Sequence, residues 1–269
     1  MLKGRLVPNY LEKLIFMDLA GYSFEILIFL FLIATVAGFL DTLVGGGGLL
    51  AVPALMLSGM SPILVLGTNK LQGSMGTGAA TLLLLRRKEL HWKKIKSLMM
   101  ASFIGAIIGS VIVQFVNTEI LSFMIPCALG FIAIYFIFAP EPKKKQRLPD
   151  NSYQNAVVPA IACYDGMFGP GTGSFFVMAG VAIKKLDIIK STVMAKPLNF
   201  SSNIASLIVF LSFGHVVWIV GLTMMLGQAI GAFFGAHYLF KVNPKFIRVL
   251  IVAMSFLMLI RYTFSMGWL

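Results

Sequence analysis

Gly38-Phe39-Leu40-Asp41-Thr42-Leu43-Val44-Gly45-Gly46-Gly47-Gly48-Leu49-Leu50-Ala51-Val52-Pro53-Ala54-Leu55 sets four consecutive glycines and one carboxylate inside an otherwise apolar run. Each glycine costs a helix about 1 kcal/mol relative to alanine, so an apolar helix entering this run breaks at residues 45–48. A second break, Asp165-Gly166-Met167-Phe168-Gly169-Pro170-Gly171-Thr172-Gly173, has the same character. Short apolar pieces follow both, residues 49–57 and 174–183, too short to cross a bilayer comfortably as helices. Backbone freed at membrane depth must be satisfied by protein or enclosed water. Two explanations compete: a discontinuous helix whose new N-terminus presents N–H groups to an anion, or a tight, closely packed turn. Recurrence in two places favours the first. Gly45, Gly46, Gly47, Gly48, Gly169, Gly171 and Gly173 are therefore candidate substrate-binding positions.

The surroundings make this a membrane protein. Of 269 residues, 58% are hydrophobic and 12% charged, with mean hydropathy +0.90. A soluble domain cannot hide that much apolar surface. Residues 23–40, 65–85, 97–116, 120–139, 197–214 and 216–236 carry only Glu25 and Lys70 as charges. Roughly 20 residues cross a hydrocarbon core of about 30 Å, so each stretch is read as a span. The net charge of +12 sits between the spans, at Arg86, Arg87, Lys88, Lys93, Lys94 and Lys96 and at Lys143, Lys144, Lys145 and Arg147. That is the positive-inside pattern of cytoplasmic loops, without the aromatic interleaving of a nucleic-acid groove. Cys127 and Cys163 form no disulfide framework or metal spacing and read as core-packing residues. The charged lead-in, residues 1–22, reads as an ordered or surface-lying segment rather than a cleaved signal peptide.

An internal duplication organises the chain. A shift of 126 residues pairs Lys70 with Lys196, Ala79 with Ala205, Trp92 with Trp218, Gly105 with Gly231, Gly109 with Gly235 and Asn117 with Asn243. A shift of 124 pairs Asp41 with Asp165, Gly45 with Gly169 and Gly47 with Gly171. The expected architecture is one all-α transporter domain over residues 1–269, with halves at about 24–139 and 155–266 and a basic cytoplasmic linker at 140–154. The helix holding Lys70 runs into Arg86-Arg87-Lys88, whereas the helix holding Lys196 starts after Lys184, Lys185 and Lys190. The halves are thus expected to be inverted in the membrane, with both termini outside.

Lys70 and Lys196 each lie a turn or more inside an apolar stretch, where a centred charge costs at least about 2.5–3.5 kcal/mol. Either they attract an anion, helped by Asn69, Gln72, Asn199 and Asn203, or they snorkel to the headgroups. Their repetition favours the anion. Asp41 and Asp165 are expected to pair with the lysines or cap the broken helices, with proton coupling as a further role. Gly105-x-x-x-Gly109 and Gly231-x-x-x-Gly235 read as intramolecular helix contacts. His91, His215 and His237 have no partner at ligand or triad spacing. No catalytic constellation, metal site or cofactor motif is read, so the chain is not expected to be an enzyme.

These motifs resemble the TauE/SafE family. The run from Gly38 to Leu55 with Gly67-Thr68-Asn69-Lys70-Leu71-Gln72 looks like its first repeat. Tyr164-Asp165-Gly166-Met167-Phe168-Gly169-Pro170-Gly171-Thr172-Gly173-Ser174 with Ala195-Lys196-Pro197-Leu198-Asn199-Phe200-Ser201-Ser202-Asn203 looks like the second. Pro197 departs from the family, which more often has an aliphatic residue there. The resemblance covers roughly residues 24–266 and looks closest to the bacterial YfcA-type branch. It implies a bacterial inner-membrane, multi-pass permease of about eight transmembrane helices, drawn from 8–10 apolar segments. It also implies a small organosulfur compound, sulfite or related oxyanion as substrate, usually moved outward. A passive anion channel and a non-transporting scaffold or assembly factor are the competing functions. Expected partners are that anion and lipid, with no nucleic acid; a homo-oligomer is left open.

Overall fold

The computed structural model describes residues 21–125, 127, 152–239, 241 and 260. Among them every regular element is a helix. In chain order those with both ends described are α1 (Phe24–Val44), α2 (Gly48–Leu57), α3 (Pro62–Arg86), α4 (Trp92–Gln114), a π-helical turn (Tyr153–Val157) leading into α5 (Val158–Met167), α6 (Thr172–Ala182), α7 (Ile188–Ser212) and α8 (Trp218–Tyr238); residues 118–125 are helical as well. The lead-in 1–20, the linker 140–154 as far as residue 151, and nearly all of 126–139 and 240–269 lie outside the described residues. The expectations placed on those segments, both termini included, lie outside them as well.

Helix ends follow the local chemistry. Ser23 caps α1 by accepting the Ile26 N–H, and α1 stops at Gly45, whose φ of 88° suits glycine. Pro62 opens α3 behind Ser61, where its missing N–H removes no helical bond. Asp187 caps α7 by accepting the Lys190 N–H at 2.9 Å. The breaks leave α2 and α6 as helices of 10 and 11 residues, matching the short pieces expected after each glycine run.

The molecule is apolar outside and polar at its centre. Ile28, Leu32 and Val36 on α1, Met100, Ile104, Ile108 and Ile112 on α4, and Leu222, Leu226 and Ile230 on α8 recur at near-helical spacing and are exposed. Lys70, Lys196, Thr68, Ser202 and Ser206 are fully buried. Exposure of that kind suits lipid and not water. Among the described residues, 24–43, 95–114 and 218–238 are long and apolar enough to cross a membrane. The stretches read as spans at 65–85 and 197–214 lie in α3 and α7. Each of these helices is 25 residues long, enough to cross, and both carry polar positions that bury inward and lower their hydropathy. Cys127 also departs from expectation: it is exposed, and Cys163 is half-buried. An apolar segment implies burial only where the exterior is water.

Small residues decide how the helices meet. A Cβ on Gly105 or Gly109 would strike the carbonyl oxygen of Pro159 or Cys163 on α5, at 2.3 and 1.9 Å. One on Gly231 or Gly235 would strike that of Thr35 or Phe39 on α1, at 1.9 and 2.8 Å. Both small-residue motifs therefore serve contacts within the chain, as expected. Contacts rise together in number along both helices of each pair, so α4 runs parallel to α5 and α8 parallel to α1. On α3 and α7 the order reverses, with Gly67 near Phe210, Gly73 near Asn203 and Gly78 near Phe200, so these two are antiparallel.

Candidate functional site

The two broken helices meet at their breaks. Gly45 lies against Gly173 so closely that a Cβ on Gly45 would be 2.3 Å from the Gly173 carbonyl carbon. The Ser174 N–H donates to the Gly45 carbonyl at 3.2 Å. Gly48 faces Pro170, and Gly169 and Gly171 take φ of 92° and 78°. Only glycine permits both the approach and the turn.

Charge is neutralised across this junction. The Lys70 ammonium on α3 lies 2.9 Å from Asp165 Oδ1 on α5 and also donates to the Asp165 carbonyl. The Lys196 ammonium on α7 lies 3.9 Å from Asp41 Oδ2 on α1 and also donates to the Asp41 carbonyl. Both lysines are fully buried. Snorkelling is therefore not their arrangement here: each ammonium points to a carboxylate contributed by the other half. Asp41 also accepts the Gly47 N–H through Oδ1 at 3.2 Å, capping the start of α2. A carboxylate already occupies a place where helix N–H groups favour an anion.

A cavity lies among these groups, with about 20 Å³ of space for the centres of water-sized molecules. That is room for roughly one water. Of the expected site residues, Asp41, Gly45, Gly48, Asn69, Gln72, Asp165, Gly169, Gly171, Gly173, Asn199 and Asn203 line it. Gly46 and Gly47 lie buried in the turn behind the lining, and Lys70 and Lys196 stand behind it on their aspartates. Within the lining, Gln72 donates to Asn69 Oδ1 at 2.7 Å and Asn203 to Asn199 Oδ1 at 3.1 Å. Three buried oxygens of lining residues have no hydrogen-bond partner: Gln72 Oε1, Asp165 Oδ2 and Gln228 Oε1.

Sequence reasoning missed Gly73, Thr77 and Gln228 in the lining. The repeat carries a signal for the first two, since a shift of 126 places them on Asn199 and Asn203. Gln228 was legible as a polar residue in the middle of the apolar stretch 216–236. Of the histidines, His215 meets Gln114 at 2.6 Å, while His91 and His237 are exposed. Among the described residues no cluster of three His, Cys, Asp or Glu side chains is placed to hold a metal ion.

An all-α polytopic membrane protein with paired broken helices around a buried polar centre is the class that this fold and site define. Within that class, the family model for the sulfite exporter TauE/SafE matches residues 30–262. The chain belongs to the TauE/SafE family of membrane transporters. It is 40% identical to "Probable membrane transporter protein ORF9" of Sinorhizobium sp, over 89% of this chain and 93% of that protein. It is 37% identical to a "Probable membrane transporter protein" of Haemophilus influenzae over 91% and 97% of the two chains. It is 38% identical to "Probable membrane transporter protein YfcA" of Escherichia coli K12 over 85% and 86%. No solved structure matches the chain.

Proposed function

We propose that this membrane transporter is a secondary carrier that exports a small anion, an organosulfur compound, sulfite or a related oxyanion, by alternating access. One observation carries the reading: two fully buried ammonium groups at the junction of the broken helices, each held by a carboxylate from the other half. A buried cation is stable only with a paired anion. Here that anion is internal, and a substrate oxyanion can exchange with it. Asn69, Gln72, Asn199 and Asn203, with the backbone of both breaks, supply hydrogen bonds to the substrate. The chain acts as a carrier and not as an enzyme, in the inner membrane of a bacterium; the relatives named above are bacterial and are called probable membrane transporters.

Helix pairing supports two inverted halves that rock about the site. The first helix of each half packs on the fourth helix of the other, through glycines at matching repeat positions, and α3 and α7 oppose each other. A passive channel would share the lysines and the breaks. The small cavity, with room for roughly one water, favours a carrier.

The test is flux in proteoliposomes. Sulfite, sulfoacetate, taurine, sulfate and small carboxylates are offered to wild type and to Lys70→Ala/Lys196→Ala. Saturable counterflow of one anion, lost in the double variant, is the expected result. Non-saturable flux without counterflow assigns a channel. Absence of flux from folded protein removes the anion reading.

A further inference from the structure

The two ion pairs are related by the repeat, but their carboxylates are not equally satisfied. Asp41 uses one oxygen for the Gly47 N–H and the other for Lys196. Asp165 uses Oδ1 for Lys70 and leaves Oδ2 buried without a partner, in a side chain that is 2% exposed. The other unpartnered oxygens of the lining, Gln72 Oε1 and Gln228 Oε1, are acceptors too. Buried acceptors without donors are costly, because each has lost its water and gained no bond in return. Each of these three oxygens is an acceptor without a donor. A proton on Asp165 Oδ2 makes that oxygen a donor, in a cavity that both glutamines also line and that has room for about one water.

We propose that Asp165 is the proton-carrying group of this transporter, and that one proton on its Oδ2 accompanies each anion bound at Lys70. The proposal rests on the carrier reading above and adds its coupling. Protonation leaves the buried Lys70 ammonium without a counter-charge, and the substrate anion supplies one. When the proton leaves, the carboxylate reclaims Lys70 and displaces the anion. Proton and anion thus stabilise each other in the site and cross together, so a monoanion moves with no net charge. Net movement follows the combined gradients, outward when the anion has accumulated inside.

The groups facing Asp165 leave this exchange to one cation. Lys70 faces it from α3, and Tyr164, on α5 itself, donates its hydroxyl to the Pro170 carbonyl. On α7 Lys196 is committed to Asp41, which shares the cavity, and Lys190 is at the exposed end of the helix. The basic residues of α4 fall within its first five residues, about four helical turns or more from Ser110, which meets the next residue, Gly166. The sequence of α6 has no charged residue.

Infrared difference spectra on acidifying the protein in liposomes, with no substrate, test the proton site by itself. The wild type is expected to show a protonated-carboxyl band that disappears in Asp165→Asn. Asp165→Glu, which keeps a carboxyl, shows the band at a shifted frequency and serves if the asparagine variant does not fold. A band unchanged in both variants, or no band in the wild type, overturns the proposal whether or not a substrate has been found. Where counterflow of sulfite is established, an imposed pH gradient should drive its accumulation about tenfold per pH unit at equilibrium. The same gradient should drive none in Asp165→Asn. Counterflow with no response to the pH gradient, or with accumulation driven by a sodium gradient, overturns the coupling and leaves the carrier intact.

Discussion

The first break and the second occupy equivalent places in the repeat, yet they are held in different ways. In the first, the glycine run lets the Gly47 amide turn back onto Asp41, and a Cβ on Gly47 would lie 2.7 Å from that of Asp41. In the second, Pro170 stands where the first has Gly46, and the Tyr164 hydroxyl holds the Pro170 carbonyl at 2.8 Å. Leu40 is the repeat counterpart of Tyr164 and has no such group. A phenol does in one half what a carboxylate does in the other, so the second carboxylate keeps a free oxygen. One topology has thus become a structural end and a chemically available end. The lining is unequal in the same way, because Asn69 and Gln72 correspond to Ala195 and Leu198.

The comparison breaks most visibly at the ion pairs. Lys70→Met strands Asp165 with neither oxygen paired to a cation, and should destabilise the protein by about 3–5 kcal/mol. Lys196→Met should be milder by about 1 kcal/mol, because Asp41 retains the Gly47 amide. Unfolding of both variants in one detergent measures the gap, and an equal or reversed order removes the asymmetry.

Helix contacts give the next effect. Gly109→Ala pushes a Cβ to within 1.9 Å of a carbonyl oxygen, Gly235→Ala only to within 2.8 Å. The first should lose about 1–3 kcal/mol and the second less. In the neighbouring register the order inverts, with Gly231→Ala worse than Gly105→Ala at 1.9 against 2.3 Å. The folded fraction across a denaturant series would show both orders or refute them.

Tyr164→Phe should cost about 0.5–1.5 kcal/mol and speed hydrogen exchange at residues 169–173, leaving residues 45–48 as they were. Equal change in both breaks would mean that the phenol is not what separates them.

The smallest contrast lies at the caps of α3 and α7. Asp187→Ala should lose about 1 kcal/mol, while Ser61→Ala should lose less, because the Ser61 side chain makes no capping bond. The Lys190 amide, with help from the Lys190 ammonium, holds the Asp187 carboxyl below its ordinary range. A depressed carboxyl stabilises the fold above its unfolded range and loses that contribution as pH falls through its folded value. The Asp187→Ala penalty should therefore shrink on acidification, as unfolding at two pH values would show.

Much of this was legible in the residues. Apolar runs and basic loops define a membrane protein, glycine clusters after Asp41 and Asp165 locate the breaks, and the shifts of 126 and 124 pair the two lysines and the two aspartates. These are local properties: hydropathy, helix propensity and spacing act over a turn or two and need no knowledge of the partner. What only the tertiary structure decided was which groups meet. Lys70 pairs with Asp165 rather than the Asp41 of its own half, and Gln228 enters the lining from α8. One aspartate keeps an unpartnered oxygen while its counterpart does not. Pairing across the halves depends on helix packing between residues some hundred positions apart, and no spacing along the chain records it.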